Sequence, residues 1–426
     1  MRIARMRANP RVGGMRMRLV ALLLLLVAGL GGTSCQGPVR PRREDQILIL
    51  LSIDGFRWDY LDLHEAPTLR RLARAGVHAR RMTPSFPSKT FPNHYTLVTG
   101  LRPETHGIVA NWFYDPATGG MFNMAKFETH WWQDGEPVWI TAEKQGVRSA
   151  CFFWPGSETE LQGLRPSLYR AFDKKLTCAE RVDGLLAWLD RPAAERPKFL
   201  TLYFDLVDTA GHTFGPEAPE TRAAVREADG AVARLLSGLG QRGLAGRTNL
   251  VIVSDHGLAE TSADRVVFIE DLVDIRQVRI ESLGPNGGVR PLPGAPAPAE
   301  LAAAIRAKAP PQVQAYLREE VPAHLHYRNH PRIPPVVLIA DDRWVIESKA
   351  GWARLRATFP RGSHGWDPAN GTMGALFLAH GPAFKRRHEF ADVENIHVYN
   401  LLCATLGIRP AKNEGDDRLA REALRP

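Results

Sequence analysis

Apolar runs of strand length recur along the chain, separated by stretches whose apolar positions follow a helical period. Residues 47–53 (ILILLSI) are almost wholly apolar, the pattern of a strand covered on both faces within a parallel sheet. Similar runs at 149–153, 199–204, 250–253 and 375–379 predict further strands. A helix is expected over 67–75, and 221–239 sets Val225, Ala228, Val232, Leu235, Leu236 and Leu239 at helical spacing. Strands alternating with helices of this length predict an α/β fold with a mostly parallel, helix-covered sheet. From 266 to 349 the pattern changes. A Gly/Pro-rich turn region (284–296), an Ala-rich helix (298–307) and strand-like runs at 313–317 and 336–339 predict a small α+β insert. The expected organisation is therefore a catalytic domain in two parts, 46–265 and 350–426, around an insert at 266–349.

The amino terminus follows another logic. Six arginines and no acid fall in residues 1–35, ahead of the apolar run 19–30 and the small residues Gly31-Gly32-Thr33-Ser34 that end at Cys35. The run is too short for a comfortable bilayer span and fits the core of an export signal. An uncleaved anchor is the alternative. Small residues before a lone cysteine also resemble a lipoprotein cleavage site, which would make Cys35 a lipidated first residue and tether the protein to a membrane. The polar, basic segment 36–45 reads as a linker. The expected location is outside the cytoplasm, periplasmic or anchored to the outer membrane of a bacterium. Removing the six arginines drops the basic excess from +9 to three, so the charge gives no case for sequence-specific nucleic-acid binding. Export permits a disulfide, for which Cys151 and Cys178 are the one pair to consider. Two buried thiols are the alternative, and Cys403 sits in an apolar helical run. Nothing in the sequence sets an oligomeric state.

The chemistry clusters at predicted strand ends, where open parallel sheets bind ligands. Asp54-Gly55 follows the first strand. Asp208 and His212 follow the strand at 199–204, Asp255-His256 the strand at 250–253, and His364 precedes the strand at 375–379. Each alone has an ordinary reading as a turn residue or a satisfied histidine. Together, three aspartates and three histidines on one rim offer two sites of three ligands each. Asp208 and His212 are spaced either as one helical turn or around a Gly-containing loop. Carboxylate and imidazole without thiolate suit Zn²⁺ and related divalent ions. In Ser88-Lys89-Thr90-Phe91-Pro92-Asn93-His94, Pro92 marks a helix start. Thr90 is then either the cap of that helix or a nucleophile activated by a metal and the helix dipole.

Longer motifs carry a resemblance. The run from Ser88 through Leu101 to Gly107-Ile108-Val109-Ala110-Asn111, the Phe153-Trp154-Pro155-Gly156-Ser157-Glu158 segment, DTAGHTFGP from Asp208, SDHG from Ser254 and VYNLLCATLGI near the carboxy terminus resemble the nucleotide pyrophosphatase/phosphodiesterase family. That family belongs to the alkaline phosphatase superfamily. The resemblance implies an alkaline-phosphatase-like fold with the insert as a cap. It also implies two divalent metal ions, zinc in kind. Asp54, Thr90, Asp255 and His256 would hold one, and Asp208, His212 and His364 the other. Thr90 would be the covalent nucleophile, and Asn111 would hold a phosphate oxygen. Two details depart from the family pattern: Trp366-Asp367-Pro368 stands where Tyr-Asp-Asn is usual, and Leu258 follows SDHG in place of Met. Neither removes a ligand.

The expected function is a metal-dependent phosphodiesterase/pyrophosphatase acting on a small-molecule phosphodiester, nucleotides first, through a phosphothreonine. Phe91 and Phe172 would face a base, with Trp154 and Glu158 in the wall of the slot; packing into the core is the competing reading for the aromatics. A lysophospholipid or choline-type diesterase of the same family is the alternative activity. A surface-binding protein with a degenerate site is the alternative class. The Thr90 region lacks the Cys/Ser-x-Pro-x-Arg setting of a sulfatase, and neutral Asn111 suits a diester better than a monoester.

Overall fold

A computed structural model describes residues 45–426; the expected signal, Cys35 and residues 36–44 lie outside the described residues. The continuous apolar runs become the centre of a nine-stranded sheet. Its strands are β1 (Ile47–Ile53), β2 (Val77–Thr83), β3 (Ser149–Phe152), β4 (Phe199–Phe204), β5 (Thr248–Val253) and β6 (Ala375–His380), with short edge strands at Leu168–Arg170, His388–Phe390 and Val393–Glu394. In space β2, β6, β5, β1, β4 and β3 follow one another. β1 is parallel to both β4 and β5, and β3 is parallel to β4. β6 runs antiparallel between β5 and β2. The fold is α/β with a mixed, mostly parallel sheet.

Every residue of β1 is buried because its side chains feed two cores. Leu48 and Leu50 belong to one hydrophobic cluster, while Ile47, Ile49, Leu51 and Ile53 belong to the cluster on the other face. The second face is covered by α1 (Pro67–Ala75), α3 (Cys178–Leu189) and α5 (Pro219–Gln241). The stripe Val225, Ala228, Val232, Leu235 and Leu239 of α5 packs there; each large aliphatic side chain so buried contributes about 1.5–3 kcal/mol. The first face is covered by α2 (Thr90–Thr99) and α6 (Val398–Leu406), through Tyr95, Leu97, Leu401 and Leu402. Between α3 and α5, α4 (Leu206–Phe214) leaves the carboxyl end of β4.

Three details differ from or decide between the sequence expectations. The strand expected to reach residue 153 ends at Phe152, because Phe153 takes a left-handed φ of +61°, a conformation that breaks pairing and is uncommon for a bulky side chain. Cys151, Cys178 and Cys403 are free, buried thiols. A Cys151–Cys178 bridge is not formed, because the two residues feed hydrophobic clusters on opposite faces of the sheet. Finally, residues 278–340 form an antiparallel four-stranded sheet with a helix at Pro298–Lys308 and a core of their own. Buried Arg332 ties this unit to the 107–131 segment. It pairs with Asp115 at 3.1 Å and donates to the carbonyls of Gly107, Trp131 and His130.

Candidate active site

The parallel strands deliver their polar residues to one rim. Asp54 directly follows β1. The next residue, Gly55, turns the chain at φ +67°, and a Cβ there would lie 2.9 Å from Asp208 Cα. Only glycine meets both conditions. Asp208 and His212 lie on α4, so their spacing is one helical turn; His212 Nε2 is 3.4 Å from Asp208 Oδ2. Asp255 and His256 follow β5, and His364 is delivered by Gly362–Ser363, which pairs with Ala259–Glu260. His256 and His364 stack with ring centroids 3.5 Å apart. Thr90 is the first helical residue of α2 and does not occupy the cap, which falls at Lys89. Its hydroxyl faces the cluster instead, 3.4 Å from His256 Nε2. The dipole of α2 makes that position favourable for negative charge.

The donor atoms converge in overlapping groups, each within 4.8 Å: Asp208, His212 and His364; Asp54, Asp208 and His256; Asp54, His94 and Asp255. Two observations fit these groups to cations. First, Asp54 Oδ1, Asp208 Oδ1 and Asp255 Oδ2 are buried without a hydrogen bond, an arrangement that costs several kcal/mol per ion, of order, unless positive charge offsets it. Second, the three ligand histidines are all oriented through Nδ1. His212 Nδ1 donates to the Gly362 carbonyl at 2.7 Å, His256 Nδ1 to Gly257 at 2.9 Å and His364 Nδ1 to Ser88 at 2.8 Å. A carbonyl can only accept, so Nδ1 carries the proton and each Nε2 turns a lone pair toward the carboxylates. His256 Nε2 sits 2.9 Å from Asp255 Oδ2, a contact that a cation between the two would make favourable.

The electrostatics follow from crowding. Burial and the carboxylates of Asp255 and Asp208 push Asp54 well above the usual carboxylate range, against the hydrogen bond from Tyr203. Burial alone would raise Asp255 as well, but the imidazoles of His256 and His94 outweigh it and hold Asp255 well below that range. Burial, with His256 and His212 beside it, keeps the His364 imidazole well below its ordinary value.

Two supporting residues escape a search for ligands alone. Tyr203 Oη donates to Asp54 Oδ2 at 2.6 Å. His94 places Nδ1 2.9 Å from the Thr90 carbonyl and 3.4 Å from Asp255 Oδ2, with Nε2 2.8 Å from Ser52 Oγ. Facing two acceptors, Nδ1 is the protonated nitrogen; its hydrogen bond goes to the Thr90 carbonyl, and Asp255 Oδ2 lies at the longer contact distance. Its signal was present in the sequence: His94 is four residues from Thr90, one helical turn away. Tyr203 shows itself only as a hydroxyl in an otherwise apolar run, one residue before the end of β4.

A cleft of about 460 Å³ opens beside the cluster. Thr90, Asp54, Asp208, His212 and His364 line its floor, and Phe91, Asn111, Trp154, Glu158 and Phe172 line it too. Asn111 Oδ1 accepts the Phe91 N–H at 2.9 Å, which leaves its Nδ2 free to donate. Phe172 is 47% exposed, and Glu158 fixes its backbone by accepting its N–H at 3.0 Å. Phe91 is half-buried, its ring 6.0 Å from Trp132. Trp154 is 3% exposed, lies edge-on to His94 and donates to the His94 carbonyl at 3.1 Å, so it braces α2 as well as forming wall. Met124, Phe127 and Lys174 complete the lining; none of these three carried a sequence signal.

Comparison with known proteins gives the same picture. Residues 48–367 match the sequence profile of the type I phosphodiesterase / nucleotide pyrophosphatase family. The chain is 38% identical over 382 residues to a venom phosphodiesterase of Macrovipera lebetinus, covering 87% of this chain and 44% of that protein. It is 38% identical over 379 residues to an uncharacterised pyrophosphatase/phosphodiesterase of Schizosaccharomyces pombe, covering 86% and 78%. The chain thus spans less than half the length of the venom protein and over three quarters of the yeast one. The structure of murine ectonucleotide pyrophosphatase/phosphodiesterase 5 superposes with a TM-score of 0.84 at 31% identity, covering 89% of this chain and 100% of that one. An inactive threonine-to-alanine variant of that murine protein, in complex with AMP, superposes with a TM-score of 0.83 at 30% identity, over the same shares of the two chains.

Tyr203→Phe removes the one hydrogen bond to Asp54 Oδ2 while preserving the ring. Loss of such a support lowers metal affinity by about 10–100-fold. Chelator competition on the purified variant is expected to read that loss; unchanged affinity would show that Tyr203 only packs.

Proposed function

The chain belongs to the type I phosphodiesterase / nucleotide pyrophosphatase family, and we propose that it hydrolyses nucleotide phosphodiester and pyrophosphate bonds through a phosphothreonine at Thr90. The observation that carries this reading is the position of the Thr90 hydroxyl, at the start of α2 and 3.4 Å from His256 Nε2, one of six acid and imidazole donors that converge there. Asp54, Asp255 and His256, with Thr90, would hold one divalent cation, and Asp208, His212 and His364 a second, zinc by the character of the donors. When bound, such ions supply Lewis acidity that lowers the pKa of a coordinated hydroxyl and offsets charge on phosphoryl oxygens.

The chain's own residues then divide the work. Thr90 Oγ1 attacks phosphorus in line, forming an ester as the bond to the leaving oxygen breaks; water afterwards cleaves that ester. Asn111 Nδ2 donates to a non-bridging oxygen. Asn111 is neutral, and Lys174 is the one lysine or arginine lining the cleft among the described residues, so we read the site as suited to a phosphoryl group with one negative charge. A protein with a degenerate site would not retain all six donors converged on the hydroxyl.

Phe91 and Phe172 both line the cleft and are suited to flank a flat base. Stacking of this kind contributes about 1–3 kcal/mol and tolerates different bases. The AMP complex of the murine relative supports a nucleotide in this position. We propose further that the protein is exported and lipid-anchored at Cys35, on the arginine-rich, apolar and small-residue order of residues 1–35. Mass spectrometry of the mature amino terminus tests this, and an unlipidated end elsewhere than Cys35 would rule the anchor out.

Two measurements test the activity. Thr90→Ala is expected to abolish turnover of a chromogenic bis-aryl phosphodiester while bound metal, by elemental analysis, stays at the parent level; near-parental rates would remove Thr90 as nucleophile. In kcat/KM, a nucleoside 5′-monophosphate ester is expected to exceed lysophosphatidylcholine, and Phe91→Ala with Phe172→Ala to lower the nucleotide value by about tenfold or more. Preference for the lipid, or indifference to the double substitution, would move the assignment to a lipid diesterase.

A further inference from the structure

The strand arrangement that collects acids at one rim collects cations at the other. β1, β3, β4 and β5 start in register: Ile47 lies opposite Thr248, and both Leu48 and Ser149 lie opposite Phe199. The residues just before three of these strands are Arg148, Lys198 and Arg247, all exposed. Lys198 N donates to the Arg148 carbonyl at 2.9 Å, so these two are neighbours. β6 is antiparallel to β5, with His380 opposite Leu250, and therefore ends at the same face. Exposed Arg386 and Arg387 follow it. Arg71 from α1 joins them; burial, together with Arg386, Arg71 and Arg425, pushes the His380 imidazole below its ordinary value.

Among the described residues, none of Arg71, Arg148, Lys198, Arg247, Arg386 and Arg387 makes an ion pair. Several nearby carboxylates are already committed: Glu195 to Arg191 at 3.5 Å and Asp190 to Arg242 at 2.7 Å. Asp45 is the one carboxylate lining a hollow of about 150 Å³ shared with Arg196, Lys198 and Arg247. The catalytic aspartates lie at the opposite strand ends, about 20 Å away by the length of a strand.

We propose that this amino-end face seats the protein on an anionic lipid surface, with the catalytic cleft turned away from it. Two features favour a lipid over another polyanion. The chain enters the sheet on this side, since β1 starts there. Cys35 precedes Asp45 by ten positions, a covalent reach of at most about 35 Å. A lipid on Cys35 would therefore keep this face within about 35 Å of the bilayer, and lysine and arginine are held once it comes within a Debye length of anionic headgroups. The face is a property of the folded domain and does not depend on the catalytic reading.

Among the described residues the hydrophobic clusters fall between Ile47 and Leu424, so the test uses residues 36–426. That chain, unlipidated, is expected to co-sediment with vesicles of phosphatidylglycerol and phosphatidylcholine, to ignore vesicles of phosphatidylcholine alone, and to be released by high salt. Arg148→Glu with Lys198→Glu and Arg247→Glu is expected to weaken binding by about tenfold or more. Arg386→Gln with Arg387→Gln serves as an independent second variant, and circular dichroism checks that both fold. Equal sedimentation with both vesicle types, no sedimentation with the anionic ones, or undiminished binding by both variants would overturn the proposal. So would capture by a single-stranded polynucleotide that anionic vesicles do not displace, which would assign the face to nucleic acid.

Discussion

Three carboxylates share a pit that water scarcely enters, and the rest of the structure is arranged around that crowding. Asp54 and Asp255 are almost wholly buried, and Asp54 approaches both Asp208 and Asp255. In a medium of low polarisability such a group cannot carry three negative charges unaided. The fold answers beside two of them: Tyr203 donates to Asp54 Oδ2, and the His94 imidazole stands 3.4 Å from Asp255 Oδ2. The oxygens without a hydrogen bond face the Nε2 atoms of two imidazoles, His256 and His364. Every element of the site is thus complementary to positive charge at its centre, and the Thr90 hydroxyl is placed where that charge would act on it.

This arrangement is affordable because of topology. A parallel sheet covered on both faces leaves only its two ends open to polar groups. The carboxyl ends receive the acids, helped by the amino terminus of α2, and the amino ends receive unpaired cations. The strand interiors between them stay buried and mostly apolar, as in β1 and β5. Function and stability are therefore written into different parts of the same strands, the middle of each supporting the core and its ends supporting chemistry.

Much of this was legible in the sequence, and the remainder fails for identifiable reasons. Residues 47–53 and 199–204 announce buried strands because both faces must be apolar, and polar residues just beyond them stand out by contrast. The fold class follows from that alternation. Other features depend on where side chains meet in three dimensions. Thr90 at a helix start is equally consistent with a cap, and its contact with His256 is invisible in the sequence because it joins residues 166 positions apart. Cys151 and Cys178 can pair on paper, but not across a sheet. The end of β3 turns on the left-handed conformation of Phe153, for which a bulky aromatic gives no local signal. Met124, Phe127 and Lys174 come to the cleft from loops whose paths tertiary packing sets.

The hydrogen bonds that orient the metal-facing groups divide into two kinds with different futures. All three imidazoles are held by main-chain carbonyls, of Gly362, Gly257 and Ser88. Substitution of a side chain cannot delete a carbonyl, so the orientation of these rings is inherited with the fold itself. Asp54 and Asp255 lean on the side chains of Tyr203 and His94, which single codon changes can alter. Evolutionary adjustment of ion preference in this scaffold should therefore run through the aspartate supports, while the histidine geometry stays fixed across descendants that otherwise diverge.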